Sequence, residues 1–101
     1  MSGTIVSPDA QRDLQEIISY IGAESVEGAA RVFGKFEEVF RLLAENPYVG
    51  HRRADLTVQP VRFFPVYSYL VVYRLVGSRP EVIRVFGAAQ DVARLLEPDS
   101  S

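Results

Sequence analysis

The sequence VRFFPVYSYLVVYRLVGSRPEVIRVF, residues 61–86, decides the fold of this chain. β-Branched and aromatic residues dominate it, which is typical of strands that are buried on at least one face. Strong turn-forming residues are confined to Pro65 and to the Gly-Ser-Arg-Pro run that begins at Gly77. The pattern predicts a short strand followed by two long strands joined by a tight turn, at about residues 61–64, 67–76 and 81–86.

The two faces of this predicted sheet differ in composition. A four-residue turn would place Val76 opposite Glu81. One face then carries Tyr69, Val71, Tyr73, Val82, Arg84 and Phe86, and the other carries Leu70, Val72, Ile83 and Val85. Because the second set is purely aliphatic, we expect it to pack against helices. The mixed first set is expected to meet water, a peptide or a ligand.

Length and composition restrict the class of protein. The 101 residues suffice for one domain, and 48% hydrophobic with 24% charged residues is typical of a folded chain. Without cysteine, neither a disulfide nor a thiolate metal site is possible, and the cytoplasm is the expected compartment. We expect no secretion signal and no membrane span. The net charge of −2 argues against a protein that coats nucleic acid through bulk electrostatics.

The residues before the predicted strands indicate a further strand and a helical hairpin. Residues 4–6 form a short strand candidate. Ser7 and Pro8 predict the start of a first helix, and Ser25 predicts the cap of a second helix that ends before Pro47. The first helix is expected to turn Arg12, Asp13, Gln15 and Glu16 outward. Two glycines of the second helix, Gly28 and Gly34, are expected to let the helices approach closely.

A polar segment and a short helix complete the expected architecture. Residues 48–60 are predicted to form a loop in which His51, Arg52 and Arg53 are the densest positive charge. Residues 88–96 are predicted to form a short helix, and residues 97–101 a frayed tail.

The order of these parts resembles the ParE branch of the ParE/RelE toxin superfamily. The resemblance covers residues 5–96 and rests on SPDAQRDLQEIISYI, NPYVG, HRRADL, FPVYSYLVVYRL and VIRVFGAAQDVARLL in this order and spacing. It implies an α+β fold with an N-terminal short strand, a helical hairpin packed on a twisted antiparallel sheet, and a short C-terminal helix. It also implies a toxin of a type II module, neutralised by a ParD-like antitoxin with a ribbon–helix–helix part and a C-terminal toxin-binding tail. The implied target is DNA gyrase, with DNA contacted only through the antitoxin.

The resemblance leaves a choice between binding and catalysis. RelE-like members cleave messenger RNA on the ribosome, which requires a base, an acid and cations that stabilise the phosphate charge. In this chain the last strand exits through Phe86-Gly87-Ala88-Ala89-Gln90, and none of these side chains titrates. ParE-like members usually carry histidine at the position of Phe86 and arginine at that of Gln90. We therefore predict no catalytic residue, no cofactor and no metal site, and action by binding.

Two alternatives remain open at this stage. One is a RelE-type messenger RNA endonuclease that uses arginines as phosphate holders. The other is a non-toxic, degenerate module that only binds an antitoxin.

Candidate binding residues follow from the same pattern. The predicted antitoxin contacts are Arg62, Tyr67, Tyr69, Tyr73, Arg84 and Phe86. The predicted target contacts are His51, Arg52, Arg53 and Arg94. Each set also has a simpler structural interpretation: a solvated basic loop, tyrosines that pack in the core, and an arginine that extends from a sheet edge.

Overall fold

The computed structural model describes residues 3–87 and 92–96. Its elements are β1 (Ile5–Val6), α1 (Pro8–Gly22), α2 (Val26–Glu45), β2 (Arg62–Val66), β3 (Tyr69–Val76), β4 (Arg79–Gly87) and α3 (Val92–Leu95). The strands form one sheet in the order β1-β4-β3-β2. The predicted α+β architecture is confirmed, but the sheet is mixed because β1 runs parallel to β4.

Local signals placed both long helices correctly. The Ser7 hydroxyl accepts a hydrogen bond from the Ala10 amide at 3.2 Å, and the Ser25 hydroxyl accepts one from the Gly28 amide at 2.9 Å. These bonds satisfy amides that have no partner within the first helical turn. None of the helices in residues 3–87 and 92–96 is both long and apolar enough to cross a membrane.

The two glycines of α2 behave differently. A Cβ added to Gly28 would lie 3.5 Å from Cγ2 of Ile21 in α1, so the helices do approach closely there. A Cβ added to Gly34 would meet no atom within 4 Å. The expectation that Gly34 permits close helix packing is therefore wrong, because this residue faces open space.

Both hairpins turn through two residues. Val66 pairs with Tyr69 across Tyr67-Ser68, and Val76 pairs with Arg79 across Gly77-Ser78. The first residue of each turn has a positive φ, 54° at Tyr67 and 65° at Gly77. The predicted four-residue second turn is wrong, because glycine permits this tighter geometry. β3 therefore begins at Tyr69, and β4 already begins at Arg79.

The expectation that the aliphatic face packs against the helices is wrong, and the predicted division between the faces fails at Val85 and Phe86. On the helical side, the buried core contains Val71, Tyr73, Val82 and Val85 together with α1 and α2 residues such as Leu14, Phe36 and Leu43. On the opposite side, Val61, Phe63, Val72 and Phe86 are buried with Val92 and Leu96, and Leu70 and Ile83 pack against them. The pairing of β3 with β4 shifts by one residue between Val72 and Tyr73, since Val72 pairs with Arg84 and Tyr73 pairs with Val82. The alternation of side chains between the two faces is therefore interrupted along β4. Val85 consequently joins the helical side and Phe86 the other.

The C-terminal prediction is only partly covered by the described residues. The predicted helix at 88–96 is observed as Val92–Leu95. Residues 88–91 and the predicted tail at 97–101 lie outside the described residues.

Candidate functional site

Tyr73 connects the sheet to the loop that follows α2. Its hydroxyl donates a hydrogen bond to the Pro47 carbonyl at 2.8 Å and accepts one from the Gly50 amide at 2.8 Å. The side chain is 0% exposed. Burial raises the pKa of Tyr73, so the phenol remains a neutral donor at physiological pH. The predicted partner contact of Tyr73 is thus replaced, in the isolated chain, by a structural contact with the NPYVG loop.

Arg62 holds the same loop from the first residue of β2. Its Nη1 donates to the Gly50 carbonyl at 2.8 Å and to the Tyr48 carbonyl at 3.2 Å. The guanidinium carbon lies 5.2 Å from the centre of the Tyr48 ring. Tyr48 is nevertheless 65% exposed. Tyr48 is absent from the predicted contacts, because no local signal in the sequence links it to Arg62.

Arg84 forms an ion pair with α1. Its Nε and Nη2 donate to the two Asp13 carboxylate oxygens at 2.8 and 3.1 Å. The Val85 amide donates to the same carboxylate at 2.9 Å. Hydrogen bonding to Asp13 raises the pKa of Arg84. The expectation that Asp13 faces outward is wrong, because its carboxylate caps the edge of β4 beyond the end of β1.

The other predicted antitoxin contacts differ in exposure. Tyr67 is 61% exposed at the turn between β2 and β3, whereas Phe86 is 0% exposed. Tyr69 is partly buried, with its ring centre 5.8 Å from that of Phe36. Tyr73 and Phe86 are both 0% exposed and therefore have no side-chain surface for a direct contact. Tyr67 offers the most exposed aromatic ring of the predicted set.

The predicted target contacts lie mainly in the loop beside β2. His51 exchanges two backbone hydrogen bonds with Phe63, at 2.9 and 2.8 Å, and its side chain is exposed. Arg53 donates to both Asp55 oxygens at 2.9 and 2.7 Å, and these bonds lower the pKa of Asp55. Arg52 is exposed in the same loop, and Arg94 is exposed in α3. The fold thus brings His51, Arg52 and Arg53 together and places Arg94 on a separate element.

The sheet separates the single histidine from Arg84. His51 pairs with Phe63 of β2, Phe63 pairs with Val72 of β3, and Val72 pairs with Arg84 of β4. Adjacent strands lie about 4.7–4.9 Å apart, so the two backbones are roughly 14 Å from each other. A general base and its phosphate-binding cation need to meet at one substrate. This pair does not form such an arrangement.

Two grooves border α2. The groove between α1 and α2 has an apolar floor of Leu14, Ile18 and Phe33, and Phe33 is 45% exposed. The second groove lies between α2 and β2 and extends to Tyr67, with charged residues from Lys35 to Glu45 along its helical wall. Exposed apolar surface of this kind is typical of protein-binding sites.

Comparison with known proteins decides the family. A family model described as ParE toxin of type II toxin-antitoxin system, parDE, matches residues 4–92. The chain belongs to the ParE toxin family. Among solved structures, this ParE toxin is similar to the Chromosomal ParDE TA system from P. aeruginosa, with 20% sequence identity, 86% coverage of this chain, 96% coverage of that chain and a TM-score of 0.70. At that identity the likeness establishes the fold alone. No curated protein sequence matches significantly.

Phe86 is a residue at which this chain departs from the pattern expected for the family. Phe86, where the resemblance led us to expect histidine, is fully buried beside Val61, Val72 and Val92. The phenylalanine ring packs among these apolar side chains and lies 4.8 Å from the Arg84 guanidinium carbon, whereas a charged imidazole would lose its hydration there and would face that cation. In this ParE toxin the position therefore serves packing.

Proposed function

We propose that this ParE toxin is neutralised by a ParD-like antitoxin and that Tyr67 is a central contact. The observation that carries the proposal is the strained turn at Tyr67. The equivalent turn position in the second hairpin is Gly77, which adopts a positive φ at no steric cost. A tyrosine in this conformation costs about 1–2 kcal/mol. A large, exposed aromatic at such a strained position is typical of a residue that binds a partner.

The two grooves support a continuous antitoxin contact. An antitoxin helix fits the apolar groove between α1 and α2, and an extended tail then crosses α2 toward Tyr67 and Arg62. The outer edge of β2 is poorly suited to adding a strand. Phe63 already exchanges both of its backbone hydrogen bonds with His51, and Pro65 has no amide hydrogen. The tail therefore contacts side chains along β2 instead of extending the sheet there.

The type of antitoxin is inferred from the family and from the ParDE neighbour. A ribbon–helix–helix part would contact DNA, and the C-terminal tail would contact the toxin. Tyr69 and Arg84, both partly buried, would contribute only at the border of this surface.

Changing Tyr67 to asparagine should have opposite effects on folding and binding. Asparagine tolerates a positive φ, so the free energy of unfolding should rise by about 1 kcal/mol, as measured by urea denaturation. Calorimetry with a ParD-like antitoxin should show a dissociation constant raised by about tenfold or more. Val58→Asn is the matched control, because Val58 is 95% exposed in the loop and should leave both quantities unchanged. Antitoxin affinity equal to that of the unmodified chain would exclude Tyr67 as a contact.

We further propose that the free toxin acts on DNA gyrase by binding and without catalysis. DNA gyrase is inferred as the target from membership of the ParE toxin family. Two features of the site support the absence of catalysis: the loop residue His51 is separated from Arg84 by β2 and β3, and Arg84 is already occupied by Asp13. The hydroxyl of Tyr73 is likewise occupied by Pro47 and Gly50.

Induction of the toxin without antitoxin tests this mechanism against its alternatives. We expect growth arrest, trapped double-strand breaks and inhibition of supercoiling by purified gyrase. Primer extension on cellular transcripts should reveal no codon-specific cleavage. Codon-specific cuts in ribosome-bound messenger RNA would instead establish the RelE-type endonuclease. Normal growth together with tight antitoxin binding would establish the degenerate binding module.

A further inference from the structure

A third groove lies at the end of the sheet where β2 begins and β3 ends. It extends from Tyr48 to Ile83, has a volume of about 500 Å³, and is lined by Arg52, Arg62 and Arg74. We call it the arginine groove. Among the predicted contacts, only Arg62 of the antitoxin set and Arg52 of the target set line it.

The arginine groove concentrates positive charge in a chain whose net charge is −2. Among the described residues, none of those lining the groove is acidic. Arg62 donates hydrogen bonds to two carbonyl oxygens, and these neutral acceptors do not neutralise its charge. Arg74 alone has a carboxylate partner, with its Nε 2.7 Å from Glu81 Oε1. The groove therefore presents to a polyanion the guanidinium groups of Arg52 and Arg62, which have no carboxylate partner in the part of the chain that the structure describes, and that of Arg74, which is partly neutralised.

Tyr48 adds a stacking surface beside these cations. Its ring rests against the Arg62 guanidinium, while 65% of the residue is exposed. Tyr73 and Arg62 fix the loop on both sides of it, at Pro47 and Gly50, so little ordering is needed when a ligand binds. An aromatic platform next to a row of cations suits alternating bases and phosphates. An acidic peptide would use the cations but would leave the ring without an equivalent partner.

We infer that the arginine groove of the free toxin binds single-stranded nucleic acid. One base stacks on Tyr48, and two or three phosphates lie on Arg52, Arg62 and Arg74. Among the described residues that line the groove, Gln59 already donates its side-chain amide to the Leu96 carbonyl, and the arginines are assigned to phosphates, so recognition is of the strand and not of its sequence. The unfavourable net charge remains compatible with this site, because the attraction is local and short in range.

Salt dependence of binding tests the phosphate contacts. Fluorescence anisotropy with labelled oligothymidylate should give a log–log salt slope of about −1.4 to −2.1, which corresponds to two or three phosphates. Arg52→Ala should reduce the magnitude of this slope by about 0.7. Arg31→Ala is the matched control, because Arg31 is exposed on α2 and should leave the slope unchanged.

Two further variants separate binding from a purely structural role. Tyr48→Ala should weaken binding by about tenfold through loss of stacking, whereas Tyr20→Ala, which removes a tyrosine that is 81% exposed on α1, should not. Glu81→Gln should strengthen binding, because it removes the carboxylate that neutralises Arg74.

Two results would overturn the assignment. One is an equal effect of Arg52→Ala and Arg31→Ala. The other is displacement of the oligonucleotide by polyglutamate that binds with the same affinity, since this would make the groove a site for acidic polypeptides.

Discussion

Changing Gly50 to alanine should lower the free energy of unfolding by about 3 kcal/mol. The added Cβ would lie 2.6 Å from both the hydroxyl oxygen and Cε1 of Tyr73. Tyr73 is fully buried and cannot move aside without disturbing the helical core. The loop must therefore shift, and the hydrogen bonds of the Tyr73 hydroxyl to Gly50 and Pro47 are weakened at the same time.

Urea denaturation of Gly50→Ala and Gly34→Ala provides the test. Gly34 lies inside α2 with no atom within 4 Å of an added Cβ. The same substitution there should raise the free energy of unfolding by about 0.5–1 kcal/mol, because alanine favours the helix. If Gly50→Ala were as stable as the unmodified protein, the close contact with Tyr73 would not constrain the loop.

Changing Asp13 to alanine should lower the free energy of unfolding by about 2–3 kcal/mol. The substitution removes the hydrogen-bonded carboxylate partner of Arg84 and leaves the Val85 amide without its acceptor. The side chains of Arg84 and Asp13 are 30% and 14% exposed, so solvent screens the pair and the loss falls below that of a fully buried pair.

Asp13→Asn separates the two contributions. Its side-chain carbonyl still accepts from Val85, so the loss should be about half as large. Glu37→Ala, on the exposed surface of α2, should change the free energy of unfolding by less than about 0.5 kcal/mol. Equal stability of Asp13→Ala and Glu37→Ala in urea denaturation would contradict the structural role of the Asp13–Arg84 pair.

The helices and the family could be predicted from sequence because their signals are local. Ser7 with Pro8, and Ser25, determine helix starts through hydrogen bonds that span three residues. The order of short motifs in residues 5–96 sufficed to indicate the ParE family, which the match over residues 4–92 confirms. Neither inference requires knowledge of which distant residues meet.

The binding surface could be predicted less well because exposure depends on packing. Tyr67 and Tyr73 look alike in the sequence, yet one is 61% exposed and the other is fully buried. Tyr67 lies in the two-residue turn before β3, whereas Tyr73 lies inside β3 on the face that packs against the helices. Both placements depend on strand pairing and packing between distant residues. Tyr48 has no local signal of its role, because its contact with the Arg62 guanidinium joins residues fourteen positions apart.

The sequence by itself determined the succession of helices and strands, the helix caps and the family, since each rests on neighbouring residues or on motif order. Tertiary structure alone decided that Asp13 forms an ion pair with Arg84, 71 residues away, and that the Tyr73 hydroxyl accepts a hydrogen bond from the Gly50 amide. It also placed Arg52, Arg62 and Arg74 around one groove. The physical reason is that side-chain partners separated by many residues are selected by strand register and by packing across the sheet, which periodicity does not specify.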